Sequence, residues 1–418
     1  MKDCCVSMVP HLMRINLIIV RAHNMFNGEI MSYKNIFLLV FVLLINTSFG
    51  QVQVVIGQKQ VIHSNILNED RSYQIYLPAS YHWALNRSYP VLYVLDGESN
   101  FLHTVGSVSF LSSQGEIPEL IVVAITSTVR IRDYTQTDWS SHWIGGGGAK
   151  NFKSFLSREL IPIIENNYRA NSFRILAGHS AAGQFALYTL ASELSLFNAY
   201  FAISPDLTWD NHLPQRSLEE SFSHTDSLKA FLYFAWSDDF GGALADDQKL
   251  LETFETKPPK GFRWVGKGFP DETHVSIPLL AQIDALRQLY RGYRLHNDLL
   301  DKGFEFAEKH FQKVSEEIGY TIPVPEEIIN NFGYEELNKG NIQEAIVFFK
   351  RNIKQNPNSS NAFDGISDAY EKAGMWNEAI VSSEKAVELA KKYNDPNLSY
   401  FIEHIKKIED RSKVKSEK

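Results

Sequence analysis

Hydrophobic and polar positions alternate in two ways along the first two thirds of the chain. Val52 to Ile66 and Arg71 to Leu77 alternate residue by residue, the pattern of paired strands with one polar face. Tyr89 to Leu95, Glu119 to Ile125 and Ala230 to Trp236 are apolar almost throughout, and Ile175-Leu176-Ala177 is a shorter run of the same kind. Such runs predict strands buried on both faces of a parallel sheet. Between them lie helical periods. Phe152, Phe155, Leu156, Leu160, Ile163 and Ile164 share one face, Gln248 to Phe254 reads as a second helix, and Ile277 to Tyr293 as a long amphipathic one. Gly261 to Val265 reads as one more strand. The fold class predicted for about residues 51–295 is α/β, a doubly wound sheet.

After residue 295 the period changes. Asn297 to Ile318 is helical by pattern, and Thr321-Ile322-Pro323-Val324-Pro325 breaks the chain. Residues 296–325 are therefore expected to be a helical linker. Gly340-Asn341-Ile342-Gln343-Glu344-Ala345-Ile346 then recurs as Gly374-Met375-Trp376-Asn377-Glu378-Ala379-Ile380. The offset, 374 − 340 = 34, is the tetratricopeptide period. Residues 326–410 are expected to be a small all-α domain of two repeats, with Leu398 to Ile408 as a capping helix. Residues 411–418 read as a charged tail.

At the other end, Ile36 to Ile45 is an unbroken apolar run behind Lys34, and Ser48-Phe49-Gly50 carries small residues at its first and third positions. The run is too short for a bilayer, so residues 1–50 read as an N-terminal extension and a secretory signal cut before Gln51, with Met31 as the expected start. The protein is expected outside the cytoplasm, with no membrane span once cut. The net charge is −8, without a basic footprint for nucleic acid. The only cysteines, Cys4 and Cys5, lie in the leader, which leaves no thiolate metal site and no disulfide in the body. No cofactor is called for.

One segment carries chemistry. Gly178-His179-Ser180-Ala181-Ala182-Gly183 follows the short strand and opens an apolar helix, Ala181 to Leu190. It fits G-x-S-x-G except for Ala at the fifth position. A Ser at such a hinge projects its hydroxyl from the sheet edge beside free helix N–H groups. A base is needed in a loop after a late strand, and His274, in Phe269-Pro270-Asp271-Glu272-Thr273-His274, has that position. The acid should follow the preceding strand, where Asp238 and Asp239 both stand. Two backbone donors should form an oxyanion hole: that of Ala181, and one from the Gly97-Glu98 turn. Arg130, Arg132 and Tyr134 follow a strand end, and Trp143 and Trp209 flank the same edge, so these five are the candidate substrate contacts.

The same residues resemble the putative esterase group of α/β hydrolases, which includes esterase D, feruloyl esterases, mycolyltransferases and siderophore esterases. The resemblance covers about residues 55–295. It rests on Pro90 to Gly97, Arg130 to Tyr134, Gly178 to Gly183, Ile203-Ser204-Pro205 and Thr273-His274. It implies Ser180 as nucleophile and His274 as base. Many members carry the acid in a G-x-x-D turn, and aligning Trp236 with that Gly places the acid at Asp239; the Gly is missing here, so Asp238 stays an alternative. The expected activity is that of a secreted serine esterase working through an acyl-enzyme on a small-molecule ester of siderophore type or with an aromatic acyl group. The alternatives are acyl transfer of the mycolyltransferase kind, or a non-catalytic interaction protein whose repeats bind a partner protein or a second copy.

Overall fold

The computed structural model describes residues 54–141, 145–237, 243–256 and 258–416. The expected leader, Trp143, Asp238 and Asp239 lie outside the described residues. From Ile56 to Lys418 the chain forms one compact unit.

Its centre is an eight-stranded sheet in the order β1-β2-β4-β3-β5-β6-β7-β8. The strands are β1 Gln58–Ser64, β2 Glu69–Tyr76, β3 Tyr89–Val94, β4 Ile121–Ile125, β5 Ala170–His179, β6 Ala199–Ile203, β7 Phe231–Ser237 and β8 Arg263–Phe269. β1 and β2 pair antiparallel, as does β2 with β4; all other neighbours are parallel. The two sequence patterns divide accordingly. β2 alternates between buried and half-buried positions at the antiparallel edge, whereas β3, β4 and β6 are buried at every position. The alternating run at the start forms a strand only from Gln58. β6, whose Ala199 to Ile203 is short and wholly apolar, was not anticipated as a strand.

Helices cover both faces. In chain order they are α1 Gly97–Ser113, α2 Arg130–Tyr134, α3 Ala149–Phe155, α4 Ile161–Asn167, α5 Ala181–Ser192, α6 Trp209–Ser223, α7 Ala243–Thr256 and α8 Ile277–Leu289. A π-turn, Leu156–Leu160, joins α3 to α4, so the single helix predicted there carries a bulge. α1 and α6 were not foreseen. The weak amphipathicity of α1 and the three left-handed residues Asp210, Asn211 and His212 that break α6 account for this.

Further helices follow: α9 Phe304–Ile318, α10 Glu326–Lys339, α11 Ile342–Gln355, α12 Ser360–Lys372, α13 Trp376–Tyr393 and α14 Leu398–Ser416. Segment 296–325 is not a bare spacer. Ala307, Phe311, Val314 and Ile318 of α9, with Ile322 and Val324, continue the apolar cluster that covers one face of the sheet through Tyr290 and Tyr293. Ile329 and Phe332 of α10 belong to the same cluster. Polar bonds reinforce the junction: Asn86 Nδ2 donates to the Gln355 carbonyl at 3.0 Å, and Arg87 Nη2 to Asn356 Oδ1 at 3.1 Å. Between α10 and α11 one glycine has a physical cause, because a Cβ on Gly333 would meet the Phe349 ring at 2.7 Å.

The expected charged tail is a correction. The chain stays helical through Ser416, and Arg411 Nη1 reaches Glu371 at 2.7 and 3.0 Å. His404 clasps α14 to α12, with Nδ1 at 2.6 Å from Asp364 and Nε2 at 3.2 Å from Asp368. The hydrogen bonds to Asp364 and then Asp368 raise its imidazole to about 10, so it is a cation at neutral pH.

Because α9 shares the sheet's core, Phe311→Ala should lower the stability of the whole unit by about 3–5 kcal/mol. Urea unfolding followed by fluorescence should show one transition moved to lower denaturant, not the loss of an early repeat-only phase.

Candidate active site

Both elements that hold Ser180 are set by small residues. Ser180 sits between β5 and α5 with φ 60° and ψ −124°, a conformation that L-residues rarely adopt. A Cβ on Gly178 would lie 2.2 Å from the Ala182 carbonyl oxygen, and one on Gly183 would lie 3.0 Å from the Ile203 carbonyl oxygen. The turn is therefore as tight as its side chains allow. Ala182, the departure from the glycine pattern, is fully buried and its methyl group is accommodated. The Ser180 N–H donates to the Ile203 carbonyl at 2.9 Å, tying the elbow to β6. Ser180 keeps partial exposure, as a nucleophile must.

The topology puts a second turn beside it. The chain leaves β3 for β4 on one side and enters β5 on the other, so the carboxyl ends of β3 and β5 flank a switch point, where ligands bind in such sheets. After β3, Asp96 is left-handed at φ 52° and α1 begins at Gly97. A Cβ on Gly97 would lie 2.6 Å from the Ala124 carbonyl carbon. The Asp96 carbonyl accepts from Ser99 and Asn100, while the N–H groups of Gly97, Glu98 and Ala181 meet no acceptor among the described residues. Free N–H groups at two helix starts are the donors an oxyanion requires. The Glu98 carboxylate is turned to the Ser127 N–H at 3.1 Å.

Arg130 straps the two turns together. Its Nε donates to the Asp96 carboxylate at 3.1 and 3.0 Å, and its Nη2 to the His179 carbonyl at 3.0 Å. Burial raises the Asp96 carboxyl above its ordinary value, and the Arg130 charge opposes that shift.

His274 lies in the loop between β8 and α8. The loop is braced locally, with Ser276 Oγ donating to Glu272 Oε2 at 2.6 Å and the Thr273 N–H to Ser276 Oγ at 2.9 Å. The half-buried His274 ring packs on the His179 ring at a centroid distance of 4.6 Å and a tilt of 47°. The base candidate thus sits against the residue that precedes Ser180. The two acid candidates are outside the described residues, but Ser237, which ends β7, pairs in register with Phe269, which ends β8. The chain therefore leaves β7 beside the His274 loop.

Three of the proposed substrate contacts require correction. Tyr134 is fully buried; its hydroxyl accepts from the Asp96 N–H at 3.3 Å and its ring packs on Phe152 and Phe185. Trp209 is also fully buried, with Nε1 donating to Thr137 Oγ1 at 3.1 Å and Trp139 against its ring. Arg132 is held by Glu69 at 2.6 Å and Asp133 at 2.7 Å, and Asp133 in turn pairs with the buried Arg71. Tyr134 and Trp209 shape the edge from within, and Arg132 is taken up by its ion pairs at the surface. Sequence reasoning missed two features, the Arg130–Asp96 strap and the His179 ring; a polar residue at a tight strand-to-helix turn was the available signal for both.

Comparison with known proteins gives the family and the fold. The family model described as "Putative esterase" matches residues 64–249. The ferri-bacillibactin esterase of Bacillus subtilis (strain 168) is 31% identical over 257 residues, 55% of this chain and 87% of that protein. The chain belongs to the esterase family. It is, with that family, a serine esterase of α/β-hydrolase fold. A siderophore enterobactin esterase of Emericella nidulans is 29% identical over 170 residues, 34% of this chain and 56% of that one. Among solved structures, an IroE-like serine hydrolase from Shewanella oneidensis superposes with a TM-score of 0.60 at 27% identity, covering 70% of this chain and 97% of its own. A protein from Capnocytophaga ochracea, 19% identical, shares the fold over 85% of this esterase and 99% of itself, with a TM-score of 0.56.

Gly97→Ala should force the β3–α1 turn off the Ala124 backbone and displace its N–H. Steady-state kinetics should show kcat down roughly 10²-fold or more, the cost of one oxyanion donor, with KM little changed.

Proposed function

We propose that this esterase cleaves a carboxylic ester outside the cytoplasm through a Ser180–His274–Asp239 relay and a covalent acyl-enzyme. The observation that carries the reading is the strained Ser180 elbow with the His274 ring brought to its edge. His274 takes the hydroxyl proton as Ser180 Oγ bonds to the ester carbon. The carbonyl oxygen becomes an oxyanion between the N–H groups of Ala181, Gly97 and Glu98. As the tetrahedral adduct collapses, the ester C–O bond breaks and His274 returns the proton to the leaving alkoxide. Water then repeats the sequence on the acyl-serine, releasing the acid and regenerating Ser180. Asp239 orients His274 and offsets the imidazolium charge.

The substrate class follows from the relatives and from Arg130. The named relatives act on siderophores. Arg130 has a third of its side chain exposed, and its Nη1 meets no acceptor among the described residues. A cation beside an oxyanion turn suits a ligand with anionic oxygens, such as a catecholate trilactone. The apolar run Ile36 to Ile45, with the small residues Ser48 and Gly50, supports export. No helix among the described residues is long and apolar enough to cross a membrane. The 34-residue period supports reading α10 to α14 as tetratricopeptide repeats that present a surface to a protein partner or a second copy.

A panel of ferric catecholate trilactones, feruloyl sugars and p-nitrophenyl esters tests the reading. Ser180→Ala should lose at least ~10³-fold in kcat on every substrate that is turned over, and the trilactone should be preferred. Asp239→Ala should cost more than Asp238→Ala; the reverse order would move the acid to Asp238. Equal turnover by wild type and Ser180→Ala would remove the nucleophile.

A further inference from the structure

We infer that the cleft between the entrance of β3 and the start of α10 is a binding site for a small organic ammonium ion, separate from the Ser180 site.

The cleft has a volume of about 270 Å³, near the lower end of the range for small-ligand sites. It lies at the other end of the sheet from the ester chemistry. Tyr89 and Pro90, which open β3, stand on its wall, whereas Ser180 follows the last residue of the parallel strand β5. The facing wall comes from the segment that leads into α10, from Tyr320 to Glu326. A ligand held there touches both the sheet and the helical region.

The charges of the cleft do not balance. Among the described residues the charged ones on its wall are Arg87, Glu119 and Glu326. Arg87 is already engaged. Its Nη1 donates to Glu119 Oε2 at 3.2 Å, its Nη2 to Asn356 Oδ1 at 3.1 Å, and its guanidinium lies 5.7 Å from the centre of the Trp83 ring. Glu119 is satisfied by that pair and by the Ser80 N–H at 3.0 Å. Arg169 stands outside the cleft, over the Tyr81 ring at 3.9 Å. Glu326 is half-buried, and among the described residues it has no ion-pair partner; its carboxylate accepts from the Ser359 hydroxyl. Burial still pushes that carboxyl up, against the opposing influence of Ser359, Arg87 and Asn361. A carboxylate so placed is stabilised by a cation brought in from outside.

The rest of the wall suits a cation and not an anion. Pro90, Pro118, Pro323 and Pro325 have no N–H to offer an anionic ligand. Trp83, Tyr89, Tyr293 and Tyr320 contribute ring surface, to which an alkylated ammonium is attracted. The position of Arg87 over Trp83 is the same attraction in use within the chain. Excess negative charge beside aromatic walls selects an organic ammonium over a sugar, a carboxylate or a bare metal ion.

The test is isothermal titration of the full chain with choline chloride, and with neohexyl alcohol, in which carbon replaces the choline nitrogen. Choline should bind saturably at one site per chain, and the alcohol at least about tenfold more weakly. Glu326→Gln, which keeps an acceptor for Ser359, should weaken choline binding about tenfold or more. Should that variant fail to fold, Trp83→Leu takes its place, with a similar loss expected. Saturating choline should leave the KM of p-nitrophenyl acetate unchanged. No saturable binding of choline, equal binding of the alcohol, or unchanged affinity in the folded variant would each overturn the proposal. Competitive inhibition of ester turnover at the titrated affinity would place the ligand at the Ser180 site and overturn it as well.

Discussion

The close approach of β5 to α5 is the constraint on which the site depends. At Gly178 the space left by the missing side chain is occupied by the Ala182 carbonyl, 2.2 Å from where a Cβ would stand. That approach goes with Ser180 at φ 60° and with a helix that starts at the next residue, Ala181. Strain of this kind costs of order 1–3 kcal/mol and persists only where the surroundings overdetermine it. Here they do: strands buried on both faces lie to either side, and the Ser180 N–H is bonded to Ile203.

The same economy of space recurs at the second turn, where Gly97 lies against the Ala124 backbone. Two tight turns on the carboxyl ends of adjacent strands would drift apart if each depended on its own helix alone. Arg130 joins them by an ion pair to Asp96 and a hydrogen bond to the His179 carbonyl. The strap is half-buried and multiply bonded, the geometry in which an arginine contributes more than a surface pair does. α9 and α10 are tied to the sheet by a shared apolar cluster, not by a tether. The helical region therefore adds core to the esterase as well as surface.

Much of this was legible in the sequence, and the misses have causes. The buried strands showed themselves because a sheet covered on both faces excludes polar residues, as in Tyr89 to Leu95 and Ala230 to Trp236. The Ser180 turn was visible because the glycine it needs has no substitute at Gly178. The 34-residue period was visible because Gly340 to Ile346 recurs as Gly374 to Ile380, with the Gly and the Glu-Ala-Ile in the same places. Tyr134 and Trp209 were misread as ligand contacts because an aromatic near a strand end looks the same whether it faces a cleft or a core; only their zero exposure separates the two. Arg132 looked available until Glu69, 63 residues away, was seen to hold it. The charged residues after Arg411 looked like a tail because the Glu371 that engages Arg411 lies on another helix.

The central claim is that Ser180 is the nucleophile of this esterase. The most direct measurement is reaction of the intact chain with a fluorophosphonate, followed by peptide mass mapping. The account predicts a single adduct on the peptide holding Ser180, formed as ester turnover is lost. An adduct on another residue, or full inactivation with Ser180 unmodified, would contradict it.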